Sequence, residues 1–114
     1  MRVLIVDDDY LVRAAIEGIL APRKDIVVVA AAASGAEAVV MARAERPEVV
    51  LMDVQLPGMD GIQATRTLLA EVDTQVVAMT SLASVDTVQR MLEAGAYGFV
   101  LKDAAPDALA DAVL

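Results

Sequence analysis

The sequence contains no cysteine and no histidine. Without cysteine the chain can form no disulfide, and it offers no thiolate for catalysis or metal binding. Without histidine it lacks the commonest general base and the commonest metal ligand of proteins. Any chemistry in this chain must therefore use carboxylates, hydroxyls, amines or a bound ion.

Aromatic residues and long apolar runs are also scarce. Tyr10, Tyr97 and Phe99 are the only aromatic side chains, so aliphatic residues must fill the core of a chain that is 58% apolar. The apolar run 3–6 is too short for a signal peptide. The longest run, 26–33, is far too short to span a membrane. We expect one cytoplasmic domain with no membrane association.

Positive charge is in short supply as well. Nine Lys and Arg residues stand against 17 Asp and Glu residues, which gives a net charge of −8. Nucleic acids and anionic membranes are bound by basic surfaces, so we expect neither to bind this chain directly. The acidity suits a cation site or a basic partner.

Five short apolar runs predict β-strands. They are rich in valine and do not alternate with polar residues, which is typical of strands buried on both faces of a parallel sheet. Helical patterns separate the runs, so the sequence predicts an α/β fold, (βα)5, with a doubly wound parallel sheet. The predicted strands are Val3–Val6, Ile26–Ala31, Val49–Met52, Val76–Met79 and Tyr97–Leu101.

The helices are predicted from capping residues and apolar stripes. Ser34 and Glu37 form the pattern of a capping box, and Asp60 and Ser84 precede the third and fourth helices. Pro106 suits the first turn of a fifth helix. The stripe of the first helix comprises Leu11, Val12, Ala15, Ile16, Ile19 and Leu20, and that of the fourth comprises Val85, Val88 and Leu92. The fifth helix ends at Leu114 without a cap, so we expect residues 1–114 to be one domain of a longer chain with that helix truncated.

Polar side chains follow four of the five strands. Asp7, Asp8 and Asp9 follow the first, Asp53 the third, Thr80 the fourth and Lys102 the fifth. The carboxyl ends of parallel strands meet at one edge of a sheet, where ligands bind. Clustered carboxylates repel one another, and either a cation or the Lys102 ammonium would relieve the repulsion. All-oxygen ligands favour a hard ion such as Mg²⁺. One carboxylate could then act as a nucleophile toward phosphorus.

Four segments of this chain resemble response regulator receiver domains, and the resemblance extends over the whole chain. They are VLIVDDDYLVR, LMDVQLPGMDG, VVAMTS and EAGAYGFVLKDA. The Lys-Asp-Ala segment is similar to the NarL/FixJ (LuxR-type) subfamily. The resemblance implies a flavodoxin-like sheet of five parallel strands in the order 2-1-3-4-5.

The resemblance also implies residue roles at the site. Asp53 would be the phosphoacceptor, and Asp8, Asp53 and the backbone carbonyl of Gln55 would bind Mg²⁺. Asp7 would lie behind these ligands or act on the ion through a water molecule.

Three further residues match the family's switch positions. Thr80 would hydrogen-bond the phosphoryl group, and Lys102 would be its counter-ion. Phe99 occupies the aromatic position that changes orientation when the site is phosphorylated.

As a member of this family, the chain would be a signalling switch and not an enzyme, apart from self-phosphorylation and self-dephosphorylation. A histidine kinase would donate the phosphoryl group, and the chain could form a homodimer once phosphorylated. The output would be transcription, through a helix-turn-helix that binds DNA and is absent from these 114 residues.

A phosphatase of the haloacid-dehalogenase type is the alternative function. Asp7 would be its nucleophile and Asp9 its acid–base residue, although Tyr10 and Leu11 depart from that family's pattern. A flavin or nucleotide module of the same fold would need a phosphate-binding loop after the first strand. Three acids stand there instead, so we rank that function last.

Overall fold

A computed structural model describes residues 1–56, 60–80, 85–101 and Asp111 of the chain. Five parallel strands form one sheet in the order β2-β1-β3-β4-β5, which confirms the predicted fold. The predicted fifth helix, from Pro106 to Leu114, lies outside the described residues. The elements are β1 (Arg2–Val6), α1 (Tyr10–Leu20), β2 (Val27–Ala32), α2 (Gly35–Glu45), β3 (Val49–Asp53), α3 (Gly61–Glu71), β4 (Gln75–Thr80), α4 (Val85–Glu93) and β5 (Gly98–Leu101).

The sheet separates two apolar layers. Successive side chains of a strand point to opposite faces, so Leu4 and Val6 pack with α2 and α3 on one face. Val3 and Ile5 pack with Ile16 of α1 on the other. The strands β1, β3 and β4 lie inside the sheet and are buried almost throughout.

The prediction that all five runs are buried on both faces is wrong for the two edge strands. β2 is mostly half-buried, and its Val27 is 55% exposed. β5 is buried only at Val100. An edge strand has a neighbour on one side only, so an apolar run alone does not distinguish it from a central strand.

The predicted apolar stripes of α1 and α4 include residues that are exposed in the structure. Leu11 is 73% exposed, whereas Ile16 and Leu20 of the same helix are buried. Leu11 precedes Ile16 by five residues, which places it about 140° around the helix. In α4, Leu92 is 46% exposed and the adjacent Met91 is fully buried instead.

Side-chain caps begin three of the helices. Asp9 accepts a hydrogen bond of 2.8 Å from the Leu11 N–H at the start of α1. Asp60 does the same for Gln63 at the start of α3. Ser34 accepts the Glu37 N–H at 3.2 Å, so the predicted cap of α2 is confirmed. The cap predicted at Ser84 lies outside the described residues.

The Ser34 cap provides a first prediction. Ser34→Ala leaves a backbone N–H of the first turn of α2 without its side-chain acceptor, and we expect the free energy of unfolding to fall by about 1 kcal/mol. Ser34→Asp keeps an acceptor at the same place, and its free energy of unfolding should stay within about 0.5 kcal/mol of the wild-type value. Urea denaturation measures both, and equal losses in the two variants would contradict the role of the cap.

Within the described part of the chain, no helix has the length and apolar character needed to cross a membrane.

Candidate functional site

The sheet brings the ends of three strands together at one edge. β1 ends at Val6, which pairs with Met52 of β3, so the next residues of these two strands, Asp7 and Asp53, emerge side by side. β4 ends at Thr80 beside them, since Asp53 pairs with Met79. The parallel order predicted from the sequence therefore places carboxylates and a hydroxyl at the same end of the sheet.

A cavity of about 260 Å³ opens between these strand ends. Five residues that the receiver-domain resemblance predicts at the site contribute to its wall, together with Asp9 and Val12. One carboxylate oxygen from each of three acids, Asp7, Asp8 and Asp53, lies within 4.8 Å of the others. The five predicted residues are Asp7, Asp8, Asp53, Gln55 and Thr80.

Short local hydrogen bonds orient two of the three carboxylates. Oδ1 of Asp7 accepts the Asp9 N–H at 2.9 Å, and Oδ1 of Asp53 accepts the Gln55 N–H at 3.1 Å. Each carboxylate thus binds the backbone two residues ahead of it, as aspartate does in tight turns. These bonds hold the two side chains against the strand ends.

The three acids differ sharply in exposure. Asp7 is fully buried and Asp53 is 4% exposed, whereas Asp8 is exposed. Thr80 is also buried, at 8%. Solvent and a ligand therefore enter the cavity past Asp8, while Asp7 and Asp53 form its inner wall.

The donor set fits a divalent cation of the hard type. Asp7, Asp8 and Asp53 each offer a carboxylate oxygen, and Gln55 lies at the same wall. Mg²⁺ and Ca²⁺ prefer such ligands, and Mg²⁺ commonly binds one or two carboxylates while keeping water. Mutual repulsion of three anions at this spacing also favours a bound cation.

Two further residues, Lys102 and Phe99, were predicted to act at the site. Lys102 lies outside the described residues. Phe99 lies on β5, pairs in register with Ala78 and is 48% exposed. It contributes instead to a larger cavity that also includes Tyr97 and Asp73.

A second groove, of about 540 Å³, adjoins the acidic cavity and shares Asp8 and Gln55 with it. Asp60 at the start of α3 and Thr87 and Arg90 of α4 line this groove. The acidic cavity therefore continues toward α4 along the surface. The sequence patterns did not predict this continuation. The distance between α3 and α4 depends on how both helices pack on the sheet, and the pattern of a single helix does not show it.

Arg13 of α1 makes a contact at the site that the sequence analysis did not predict. Its Nη1 donates a hydrogen bond of 2.7 Å to the backbone carbonyl of Asp7. Its guanidinium carbon lies 5.7 Å from the centroid of the Tyr10 ring. The position of Arg13 was a possible signal, because a long side chain in the first turns of a helix can reach the loop before that helix. The sequence did not indicate which atom of the loop Arg13 contacts.

Comparison with known proteins agrees with this geometry. A family model described as response regulator receiver domain matches residues 3–114. The chain belongs to the response regulator receiver domain family. The acidic cavity therefore occupies the carboxyl edge of a receiver domain, a signalling domain of two-component systems.

Individual relatives of this receiver domain cover nearly all of it. The transcriptional regulatory protein LiaR of Bacillus subtilis is 38% identical over 99% of the chain and 54% of its own length. The response regulator GacA of Pseudomonas protegens is 43% identical over the same shares of the two chains. The chain thus spans about half the length of these curated relatives.

Solved structures confirm the receiver fold. The signal receiver domain of NarL from Mycobacterium tuberculosis superimposes with a TM-score of 0.94 at 34% identity, covering 98% of this chain and 91% of that one. The response regulator domain of CheB from Thermotoga maritima superimposes with a TM-score of 0.86 at 28% identity, covering 99% and 96%.

Proposed function

We propose that this receiver domain is a phosphorylation switch in which Asp53 accepts a phosphoryl group from a histidine kinase. The observation that carries the proposal is the grouping of Asp7, Asp8 and Asp53 around one open cavity at the strand ends. Family membership supports the same function. On this proposal the domain is a regulated binding module, with no catalysis beyond its own phosphorylation and dephosphorylation.

The transfer uses an oxygen of the Asp53 carboxylate as the nucleophile. That oxygen attacks phosphorus, and the bond from phosphorus to the kinase imidazole nitrogen breaks. The nitrogen leaves with the electron pair of that bond, and the ring is released neutral because its other nitrogen carries a proton. The product is an aspartyl phosphate on this chain and a neutral histidine on the kinase. Burial of Asp53 at the end of β3, with its Oδ1 accepting the Gln55 N–H, keeps the carboxylate in one orientation for this attack.

Asp8, Asp53 and the backbone carbonyl of Gln55 would hold Mg²⁺, with Asp7 acting through a water molecule. The exposure of Asp8 and the complete burial of Asp7 support this division of roles. When bound, the ion neutralises charge that develops on the phosphoryl oxygens.

Thr80 and Lys102 would stabilise the transferred group, Thr80 by donating its hydroxyl hydrogen and Lys102 as the counter-ion. Thr80 supports this role by lining the cavity beside Asp53. Phe99 would then turn inward. Because Phe99 is 48% exposed, this movement would remove apolar surface from water, which is favourable. Phosphorylation in this way shifts the population between two conformations.

We further propose that residues 1–114 are the receiver part of a longer protein whose output is transcription through a helix-turn-helix. The chain spans about half of each curated relative, and one of those relatives is named a transcriptional regulatory protein. A homodimer formed on phosphorylation would couple the two parts. Since the net charge of −8 disfavours nucleic acid, DNA would be bound only by the other part.

Intact mass spectrometry after incubation with acetyl phosphate and Mg²⁺ tests the proposed function. We expect the wild-type chain to gain the mass of one phosphoryl group and Asp53→Asn to gain none, because the amide is not a nucleophile toward phosphorus. Omission of Mg²⁺ should suppress the gain in the wild type.

The matched control is Asp25→Asn, which removes an exposed carboxylate just before β2. It should be phosphorylated like the wild type. Phosphorylation of Asp53→Asn to the wild-type extent would show that another residue accepts the group. Steady phosphatase turnover that survives Asp53→Asn would favour the haloacid-dehalogenase alternative, in which Asp7 is the nucleophile.

A further inference from the structure

The loop formed by residues 7–9 directly follows β1, which ends at Val6. To bind a cation in the cavity, Asp8 must leave this loop in the direction of the cavity. The first residue of the loop is well held, because the Asp7 N–H donates to the Ala32 carbonyl at 3.1 Å and the Asp7 side chain is fully buried. Asp8, in contrast, is exposed. The direction in which Asp8 leaves the strand depends on the peptide that joins it to Asp7.

The side chain of Arg13 binds that peptide. The carbonyl that accepts the Arg13 hydrogen bond belongs to the planar unit between Asp7 and Asp8. A bond of 2.7 Å to this oxygen therefore restrains the orientation of the plane, and with it the starting direction of the Asp8 side chain.

Arg13 is in turn held by its own helix. Its N–H donates to the Asp9 carbonyl at 3.0 Å, which closes a ring of hydrogen bonds around the acidic loop. Tyr10, one turn earlier, places its ring 5.7 Å from the guanidinium carbon. Residues three apart are neighbours on a helix, and a guanidinium over an aromatic face is attracted to it.

We propose that Arg13 is a positioning residue for the cation site, acting through the Asp7–Asp8 peptide, with Tyr10 holding its guanidinium in place. The inference rests on the proposed function, since it assumes that Asp8 binds Mg²⁺. Arg13 contacts a carbonyl of the loop and is not itself a ligand.

Arg13 also carries a positive charge near three consecutive acids. This charge weakens the attraction of the cavity for a cation, whereas the hydrogen bond to the Asp7 carbonyl favours cation binding. Removing the charge would strengthen the long-range attraction of the cavity for a cation, whereas losing the hydrogen bond would misplace Asp8. Salt distinguishes the two effects, because added salt screens the attraction between exposed charges and leaves a geometric defect unchanged.

Mg²⁺ binding by isothermal titration calorimetry tests the proposal. Arg13→Met keeps the apolar stem but removes the donors, and we expect its Kd for Mg²⁺ to rise about fivefold. Arg13→Lys keeps both a charge and a donor and should stay within about twofold of the wild type. Arg66→Met, which removes the charge of an exposed arginine on α3, is the matched control and should also stay within about twofold. The loss in Arg13→Met should persist at high salt.

Tyr10→Leu provides a second route that leaves Arg13 in place. Tyr10 is 70% exposed, so its replacement does not disturb the core, and we expect its Kd for Mg²⁺ to be about fourfold higher than that of the wild type. Wild-type or tighter Mg²⁺ binding by both Arg13→Met and Tyr10→Leu overturns the proposal. If the wild type itself binds no Mg²⁺ and takes up no phosphoryl group, the proposed function fails along with it. If the wild type does both, only the role of Arg13 is in question.

Discussion

Gly61→Ala is expected to lower the free energy of unfolding by about 3 kcal/mol, because an added methyl group at this position has no space. A Cβ at Gly61 would lie 2.7 Å from the Cα of Val54, 2.9 Å from the Val54 carbonyl oxygen, and closer still to the carbonyl oxygen of Asp53. All three neighbours are backbone atoms, which cannot turn aside as a side chain can. Either the first turn of α3 or the end of β3 must move.

The close approach at Gly61 also bears on the site. The Gly61 N–H donates to the Val54 carbonyl at 3.0 Å, so α3 begins directly against the peptide that follows Asp53. A shift of that contact would move Asp53, the proposed phosphoacceptor. We therefore expect Gly61→Ala to take up phosphoryl from acetyl phosphate more slowly than the wild type, even under conditions where it is folded.

Gly18→Ala is the matched control for Gly61→Ala. Gly18 lies exposed within α1, and a Cβ built there meets no atom within 4 Å. Alanine is the better helix former, so this variant should gain about 0.5–1 kcal/mol. Urea denaturation with a two-state fit measures both variants. Equal effects of the two substitutions would contradict the steric argument.

Asp53→Asn is expected to raise the free energy of unfolding by about 2 kcal/mol in the absence of divalent cations. At a spacing of up to 4.8 Å the three carboxylates repel one another, and removal of Asp53 abolishes two of the repulsive pairs. One attraction would be lost in return, that of the Lys102 ammonium proposed above as the counter-ion. Asparagine keeps an oxygen that can accept the Gln55 N–H.

Mg²⁺ should make the wild type more stable than Asp53→Asn, the reverse of the order expected without the ion. A ligand that binds only the folded state stabilises it by about 2.7 kcal/mol at a concentration one hundred times its Kd. The wild type should gain this increment, and Asp53→Asn should gain much less because it lacks one ligand. Thermal denaturation at low ionic strength, with and without Mg²⁺, measures both effects, and Asp25→Asn should behave as the wild type. A wild type and an Asp53→Asn variant of equal stability in the absence of Mg²⁺ would show that the carboxylates do not repel appreciably.

Local patterns predicted much of the fold. Runs of valine and other apolar residues identified the five strands to within one or two residues, and Ser34 and Asp60 marked the starts of two helices. These signals are local, because a cap or a strand depends on residues that are near one another in the chain. Predictions about exposure were weaker, as Leu11 and Leu92 show.

The burial of a helix residue depends on how the helix lies against the sheet. Leu92 and Met91 are adjacent in α4 and both are apolar, yet only Met91 is fully buried. A rotation of the helix by a fraction of a turn would exchange them. Likewise, the apolar composition of β2 did not show that it is an edge strand, because the edge is defined by the order of strands in the sheet.

The sequence by itself determined the α/β class, the strands, and the acids and hydroxyl that follow them, because each of these depends on residues close together in the chain. From parallel strands it also followed that Asp7, Asp53 and Thr80 share one edge. Only the tertiary structure decided that Asp7 is buried and Asp8 exposed, that α3 leaves no room for a side chain at Gly61, and that Arg13 reaches the Asp7 carbonyl. These features depend on distances of a few ångströms between packed backbones, and such distances are set by the register of the sheet and the placement of the helices upon it.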